Sequence, residues 1–163
     1  MKLKGSCHCQ AVVYECESND YLPYQLCYCS ICRKTQGGGG YTINLSADAR
    51  TLKIHKGRKA IGSYNALVLN EETGRRKKSS GERKFCMKCA SALWLFDPSW
   101  PDLIHPFASS IDSELPPAPE HTHVMMEFKM AWVKPHALKK DQKFKLYPKE
   151  SIAEWHDRVL KRK

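Results

Sequence analysis

The sequence has no apolar run long enough to cross a bilayer as a helix, so a membrane-spanning chain is not expected. Its opening residues, Met1-Lys2-Leu3-Lys4-Gly5-Ser6, carry a basic flank with no apolar stretch behind it, so no signal peptide is expected either. Internal repeats are lacking, as is any shift in composition that would mark a second domain, and 163 residues fit one domain over 1–163. Hydrophobic residues make up 42%, which excludes a disordered chain. Acid is scarce: 17 Asp and Glu stand against 27 Lys and Arg, a formal net charge of +10 that favours anionic partners. Those could be nucleic acid or a small polyanion with several carboxylates. With no export signal, the thiols are expected in a reducing compartment, cytoplasmic with the nucleus as an alternative.

Cysteine is what the chain has in quantity. Seven of eight fall into three clusters: Cys7-His8-Cys9, Cys27-Tyr28-Cys29-Ser30-Ile31-Cys32, and Cys86-Met87-Lys88-Cys89. Redox dithiols would explain a Cys-x-x-Cys but not two Cys-x-Cys pairs. Disulfides are disfavoured because cysteines so close in sequence rarely reach the required Cα separation and direction. Zinc suits the pattern, since thiolates are soft ligands and Zn²⁺ prefers a tetrahedron of them. On extended segments the side chains of Cys7 and Cys9 would share a face, as would those of Cys27 and Cys29, while Cys86 to Cys89 needs a tight turn. Two pairs close a four-thiolate site, which is the structural kind. A three-thiolate site at Cys27, Cys29 and Cys32 leaves one position open, the mark of a catalytic site. Two Zn²⁺ on seven thiolates would lower the net charge from +10 to +7, still basic.

The remaining chain reads as strands. Residues 11–17 alternate, with Val12, Tyr14 and Cys16 on one face, and Cys16 reads as a buried hydrophobe. Strands are also expected at 24–29, 41–45, 51–55, within 60–69, and at 92–96, 103–108 and 123–128. The very polar stretch 70–84, with Arg75-Arg76-Lys77-Lys78, reads as a hairpin tip, either a solvated loop or a polyanion contact. Gly37, Gly38, Gly39 and Gly40 are either a loose connection or a source of backbone N–H groups for a ligand. The lone histidines, His55, His105, His121, His123, His136 and His156, read as core or surface residues rather than ligands. A C-terminal helix over about 150–161 is signalled by Ser151 and Glu154 as a capping box and by Ile152, Trp155 and Val159 at helical spacing.

Three segments, Gly5-Ser6-Cys7-His8-Cys9, Cys27 through Lys34, and Phe85-Cys86-Met87-Lys88-Cys89, resemble in their order the family of glutathione-dependent formaldehyde-activating enzymes, which also includes centromere protein V. The similarity covers about 3–135. Fainter likenesses occur at Ser110-Ile111-Asp112, His123-Val124 and Trp132. The resemblance implies a mainly β, zinc-stabilised fold of antiparallel sheets of the β-tent kind. It assigns Cys7, Cys9, Cys86 and Cys89 to a structural zinc and Cys27, Cys29 and Cys32 to a catalytic one. It also implies a carbon–sulfur lyase, an S-(hydroxymethyl)glutathione synthase for formaldehyde detoxification, with glutathione and an aldehyde as partners. Arg33, Lys34 and the N–H groups of Gly37 to Gly40 are then candidates to hold glutathione's carboxylates. Two positions depart from the family, which has glycine where this chain has Gln10 and Ala90. The alternative function is a non-catalytic, zinc-stabilised module for nucleic acid or chromatin.

Overall fold

The computed structural model describes residues 1–36, 38–70, 73–135 and 137–162. Alternating hydrophobicity makes strands of β1 (Lys2–Ser6) and β2 (Val13–Asp20), whose inward residues Leu3, Tyr14 and Cys16 enter the core. Then come β3 (Gln25–Cys27), the short helix α1 (Ser30–Gln36), β4 (Thr42–Ile43) and β5 (Ser46–Lys56). A hairpin follows, built of β6 (Ile61–Leu69) and β7 (Arg76–Cys86), and after it β8 (Ala92–Phe96) and β9 (Leu103–Pro106). The chain ends through β10 (Thr122–Val124), β11 (Gln142–Lys143) and the helix α2 (Ile152–Leu160).

Seven strands form one antiparallel sheet in the order β1-β2-β5-β9-β8-β7-β6. Four short strands form a second sheet, β11-β10-β3-β4, in which β10 runs parallel to both β3 and β11. The antiparallel expectation therefore describes the larger sheet, and the smaller one adds two parallel pairings. The main core lies on the larger sheet and gathers Leu3, Val12, Tyr14, Leu45, Leu93, Trp94 and Ile104. Gly5 is required there: a Cβ would stand 2.5 Å from the ring of Tyr14, its partner across the β1–β2 ladder. The Tyr14 hydroxyl is satisfied by Ser110 Oγ at 2.7 Å.

The hairpin tip expected over 70–84 is confined to the connection before Arg76, where the Gly74 amide donates to the Asn70 carbonyl at 2.8 Å. From Arg76 onward the stretch is strand β7, with Lys77 and Lys78 paired across from Val68 and Leu67. Its charges project from the outer end of a hairpin whose other strand exposes Leu67, Val68 and Leu69. The free Cys16 is 1% exposed, and burial, then Glu17 and Glu15, push its thiol up to about 12. Helix α2 forms as its sequence predicts. Ser151 Oγ accepts from the Glu154 amide at 3.2 Å and Glu154 Oε2 from the Ser151 amide at 2.7 Å. Its buried face stacks Trp155 on Tyr24 at 3.7 Å, and His156 Nε2 accepts from the Leu22 amide at 3.0 Å.

Candidate metal centre

The sulfurs of Cys7, Cys9, Cys86 and Cys89 converge, each within 4.8 Å of the others. Cys7 and Cys9 do not lie on a strand, as alternation predicted. Strand β1 stops at Ser6, and the chain turns so that the Gln10 amide donates to the Cys7 carbonyl at 2.9 Å. Cys86 ends β7 and enters the matching turn, with the Ala90 amide on the Cys86 carbonyl at 2.8 Å. Both turns leave through a left-handed residue, Gln10 at φ 57° and Ala90 at φ 60°. Those are the two positions where glycine was expected, and a side chain there costs about 1 kcal/mol. Ala90→Gly should therefore raise the unfolding midpoint by about 2–4 °C in a domain of this size. A thermal melt checks this, and an unchanged or lower midpoint would mean the turn is not strained.

A tetrahedron of sulfurs about 2.3 Å from zinc has edges of about 3.8 Å. The sulfur separations in the structure are 3.6 Å for Cys7–Cys9 and 3.9 Å for Cys9–Cys86. No disulfide is present, and all eight cysteines are free. The Val12 amide donates to Cys7 Sγ at 3.2 Å, which suits a thiolate. Hydrogen bonds from the Ser91 hydroxyl and amide hold the Cys89 thiol down to about 5. These donors fit a soft divalent cation. His8, between two ligands, is exposed and takes no part.

The site has a mechanical consequence. Strands β1 and β7 stand five steps apart in the sheet, about 24 Å if it were flat. Yet Cys9 Sγ, just beyond β1, lies 3.9 Å from Cys86 Sγ at the end of β7, so the four sulfurs bring together distant strands of a strongly curled sheet.

The second cluster, Cys27, Cys29 and Cys32, also has its sulfurs within 4.8 Å of one another. Here too alternation on a strand was the wrong cause. Only Cys27 is on β3. Cys29 lies beyond the strand and immediately before α1, and Cys32 is the third residue of the helix, in its first turn. Cys29 is thus the helix cap: its sulfur accepts from the Cys32 amide at 3.3 Å, as a capping serine or aspartate oxygen would. Hydrogen bonds from Cys27 and Cys32 hold Cys29 far below the usual thiol range. The converse bonds from Cys29 and Cys32, with burial, push Cys27 far up. Three sulfurs with no fourth protein ligand among the described residues fit a metal with one open position.

The surroundings of the trio include residues that the sequence did not signal. Arg83 on β7 lies close enough for its charge to act on Cys32. Burial, then the charges of the three sulfurs, push the Tyr147 phenol up to about 12. Thr35 and Gln36 lie three and four residues after Cys32, on the same face of α1. With Arg83, Lys84, Tyr64 and Phe107 they line a cavity of about 270 Å³. Several of its polar atoms are buried without a partner: Gln36 Nε2 and Oε1, and Arg83 Nε. Arg33 Nε is in the same condition. Unpaired buried polar atoms are costly, and a bound polar ligand would satisfy them.

Of the predicted anion-holding residues, Arg33 is half-buried on α1 and Lys34 is exposed. Gly38 and Gly39 are exposed, and Gly37 lies outside the described residues. Gly40 is a packing glycine: at φ 80° a Cβ would stand 2.3 Å from Val133 Cγ2.

A mainly antiparallel β framework with four thiols converging in one cluster and three in another, near a basic cavity, defines a cysteine-rich protein whose two clusters could hold metal. A family model described as the glutathione-dependent formaldehyde-activating enzyme matches residues 2–127, and the chain belongs to that family. A Halomonas elongata protein, provisionally named a glutathione-dependent formaldehyde-activating enzyme, is 55% identical over 159 residues, spanning 98% of this chain and 97% of that one. A crystal structure of a Rhodobacter sphaeroides protein resembles the fold with a TM-score of 0.52 and 25% identity, over 71% of this chain and 92% of that chain. None of these names points to nucleic acid. Among the described residues, no helix is long and apolar enough to cross a membrane.

Proposed function

We propose that this chain catalyses addition of the glutathione thiol to formaldehyde, giving S-(hydroxymethyl)glutathione, and the reverse cleavage, as a carbon–sulfur lyase. The observation that carries this is the convergence of three sulfurs, Cys27, Cys29 and Cys32, next to a cavity with unpaired basic and amide groups. The family match and the name of the Halomonas relative support it. Zn²⁺ is the metal whose donor set these clusters fit, with Cys7, Cys9, Cys86 and Cys89 holding one ion and Cys27, Cys29 and Cys32 the other. At the second site it would supply Lewis acidity that favours thiolate over thiol at neutral pH. Three thiolate ligands mute that acidity, so most of the benefit falls to positioning by the protein.

In the reaction the substrate's S–H adds across the C=O bond. A C–S bond forms, the carbonyl π bond breaks, and the thiol proton ends on the carbonyl oxygen. The protein's part is to hold the tripeptide. Arg83 presents positive charge to its carboxylates, Arg33 adds a second cation, and Gln36 offers both an amide donor and an acceptor, while Lys84 is already paired with Glu82. A seven-stranded sheet whose distant strands lead to the four sulfurs, with a smaller sheet carrying Cys27, is the arrangement that we read as a β-tent. Eight free thiols are suited to a reducing, cytoplasmic setting. The nucleic-acid alternative rests on charge alone.

The test is the rate of S-(hydroxymethyl)glutathione formation from glutathione and formaldehyde with the metal-loaded protein. The expected result is a rate that rises with protein concentration and falls when Arg83 is replaced by Met, with the loss in KM more than in kcat. A rate equal to the uncatalysed one at every protein concentration would remove the enzyme reading.

A further inference from the structure

Beyond residue 127, where the family match ends, the C-terminal segment turns back into the smaller sheet. Strand β11 pairs with β10, placing Gln142 beside Thr122 and Lys143 beside His123. The residue before β11 is Asp141, whose side chain is 1% exposed. Its carboxylate accepts from the His121 amide at 2.7 Å and the Leu138 amide at 2.7 Å. It also faces His123 Nε2 at 3.3 Å and, on the same oxygen, His121 Nδ1 at 3.4 Å. His123 is fully buried, and its other nitrogen, Nδ1, is 2.8 Å from the hydroxyl of Tyr28, itself fully buried. Tyr28 lies between Cys27 and Cys29.

The direction of this chain of hydrogen bonds follows from its end. A carboxylate only accepts, so Nε2 of His123 carries the proton. Burial favours the neutral ring, in which Nδ1 is a lone pair and the Tyr28 hydroxyl donates to it. Tyr28 is anchored a second time, its amide donating to the Val124 carbonyl at 3.1 Å. Val124 is also the register partner of Cys27 across β3 and β10. The ring of Tyr28 packs against Leu26, Val133 and Tyr41, away from the sulfurs. Side chain and backbone together thus fix the bend between Cys27 and Cys29.

We propose that Asp141 and His123 are positioning residues for the three-cysteine site, acting in series through Tyr28. Asp141 fixes the His123 tautomer, His123 fixes the Tyr28 hydroxyl, and Tyr28 fixes the bend on which the Cys27 and Cys29 sulfurs converge. The inference rests on the reading that this trio holds a metal. Outer partners of metal ligands commonly set affinity by about 10–100-fold, because ligand atoms must be held to a fraction of an ångström.

The test loads the full chain with Co²⁺ and follows loss of metal to a chelator from both sites. Asp141→Asn turns an acceptor-only group into one that can donate to His123, and Tyr28→Phe removes only the hydroxyl. Each should speed release from the three-cysteine site about 10–100-fold and leave release from the four-cysteine site unchanged. Because the residues act in series, the double variant should be no faster than the faster single one. Unchanged release, equal acceleration at both sites, or effects that multiply in the double variant would overturn the inference. Wild-type protein holding a single metal would overturn the two-site reading and this inference with it. Two metals in wild type and indifferent variants would overturn this inference alone.

Discussion

Replacing Cys86 by serine should leave a chain that no longer unfolds cooperatively at ordinary temperatures. Cys86 and Cys7 are both fully buried, within the same core as Leu3, Leu93 and Trp94. The four sulfurs join strands that the sheet order keeps five steps apart. Metal binding by such sites is worth about 10–16 kcal/mol in small domains, and binding there is folding free energy. A whole domain is stable by only about 5–15 kcal/mol, so losing even half of the clamp removes most of the margin. Serine is a poor ligand for a soft cation, and its hydroxyl would be left buried among three thiols. Circular dichroism melts with metal content measured on the same samples check this. A cooperative melt within about 5 °C of wild type, with one metal fewer, would mean that the sheet curls without the clamp.

The reverse outcome is expected at the other cluster. Cys29→Ser should lower kcat/KM for thiol–aldehyde addition by at least about 100-fold, the upper end of what changes around metal ligands cost. The fold should survive, because Cys29 caps α1 and serine is among the best helix caps. Its oxygen can take the Cys32 amide that the sulfur now accepts. Activity and stability should therefore separate, unlike at Cys86. Steady-state kinetics beside a thermal melt would show it. Turnover within a few-fold of wild type would remove the trio from the chemistry, and loss of activity together with the fold would make the cluster structural.

The cysteines were legible because identity and spacing alone point to metal chemistry. How they converge was not. Cys7-His8-Cys9 and Cys27-Tyr28-Cys29 look like alternating strands, but β1 and β3 stop at Ser6 and Cys27, and hydrogen-bonded turns do the rest. Helix α1 is seven residues long, has no apolar period, and is capped by a cysteine, so nothing in the local sequence announces it. The C-terminal helix was readable because its capping box and apolar stripe are local signals. The run Arg75 to Lys78 was read as part of a hairpin tip because charge usually marks one; the hairpin is there, but Arg76, Lys77 and Lys78 already belong to β7, because β6 supplies a partner strand and both faces of that hairpin end meet solvent. Strand β11 is two residues long, and the Asp141–His123–Tyr28 chain depends on pairings between segments far apart in sequence. Gln10 and Ala90 were flagged as departures, and their left-handed backbone gives the reason that glycine suits those positions.

Metal content per chain, measured with and without excess glutathione, bears most directly on the claim that four sulfurs lock the sheet and three leave a cation accessible to a thiol. The expected result is two zinc ions per chain: one that resists chelators, and a second whose exchange rate changes when glutathione is added. A single zinc per chain, or two that ignore glutathione at saturating concentration, would contradict it.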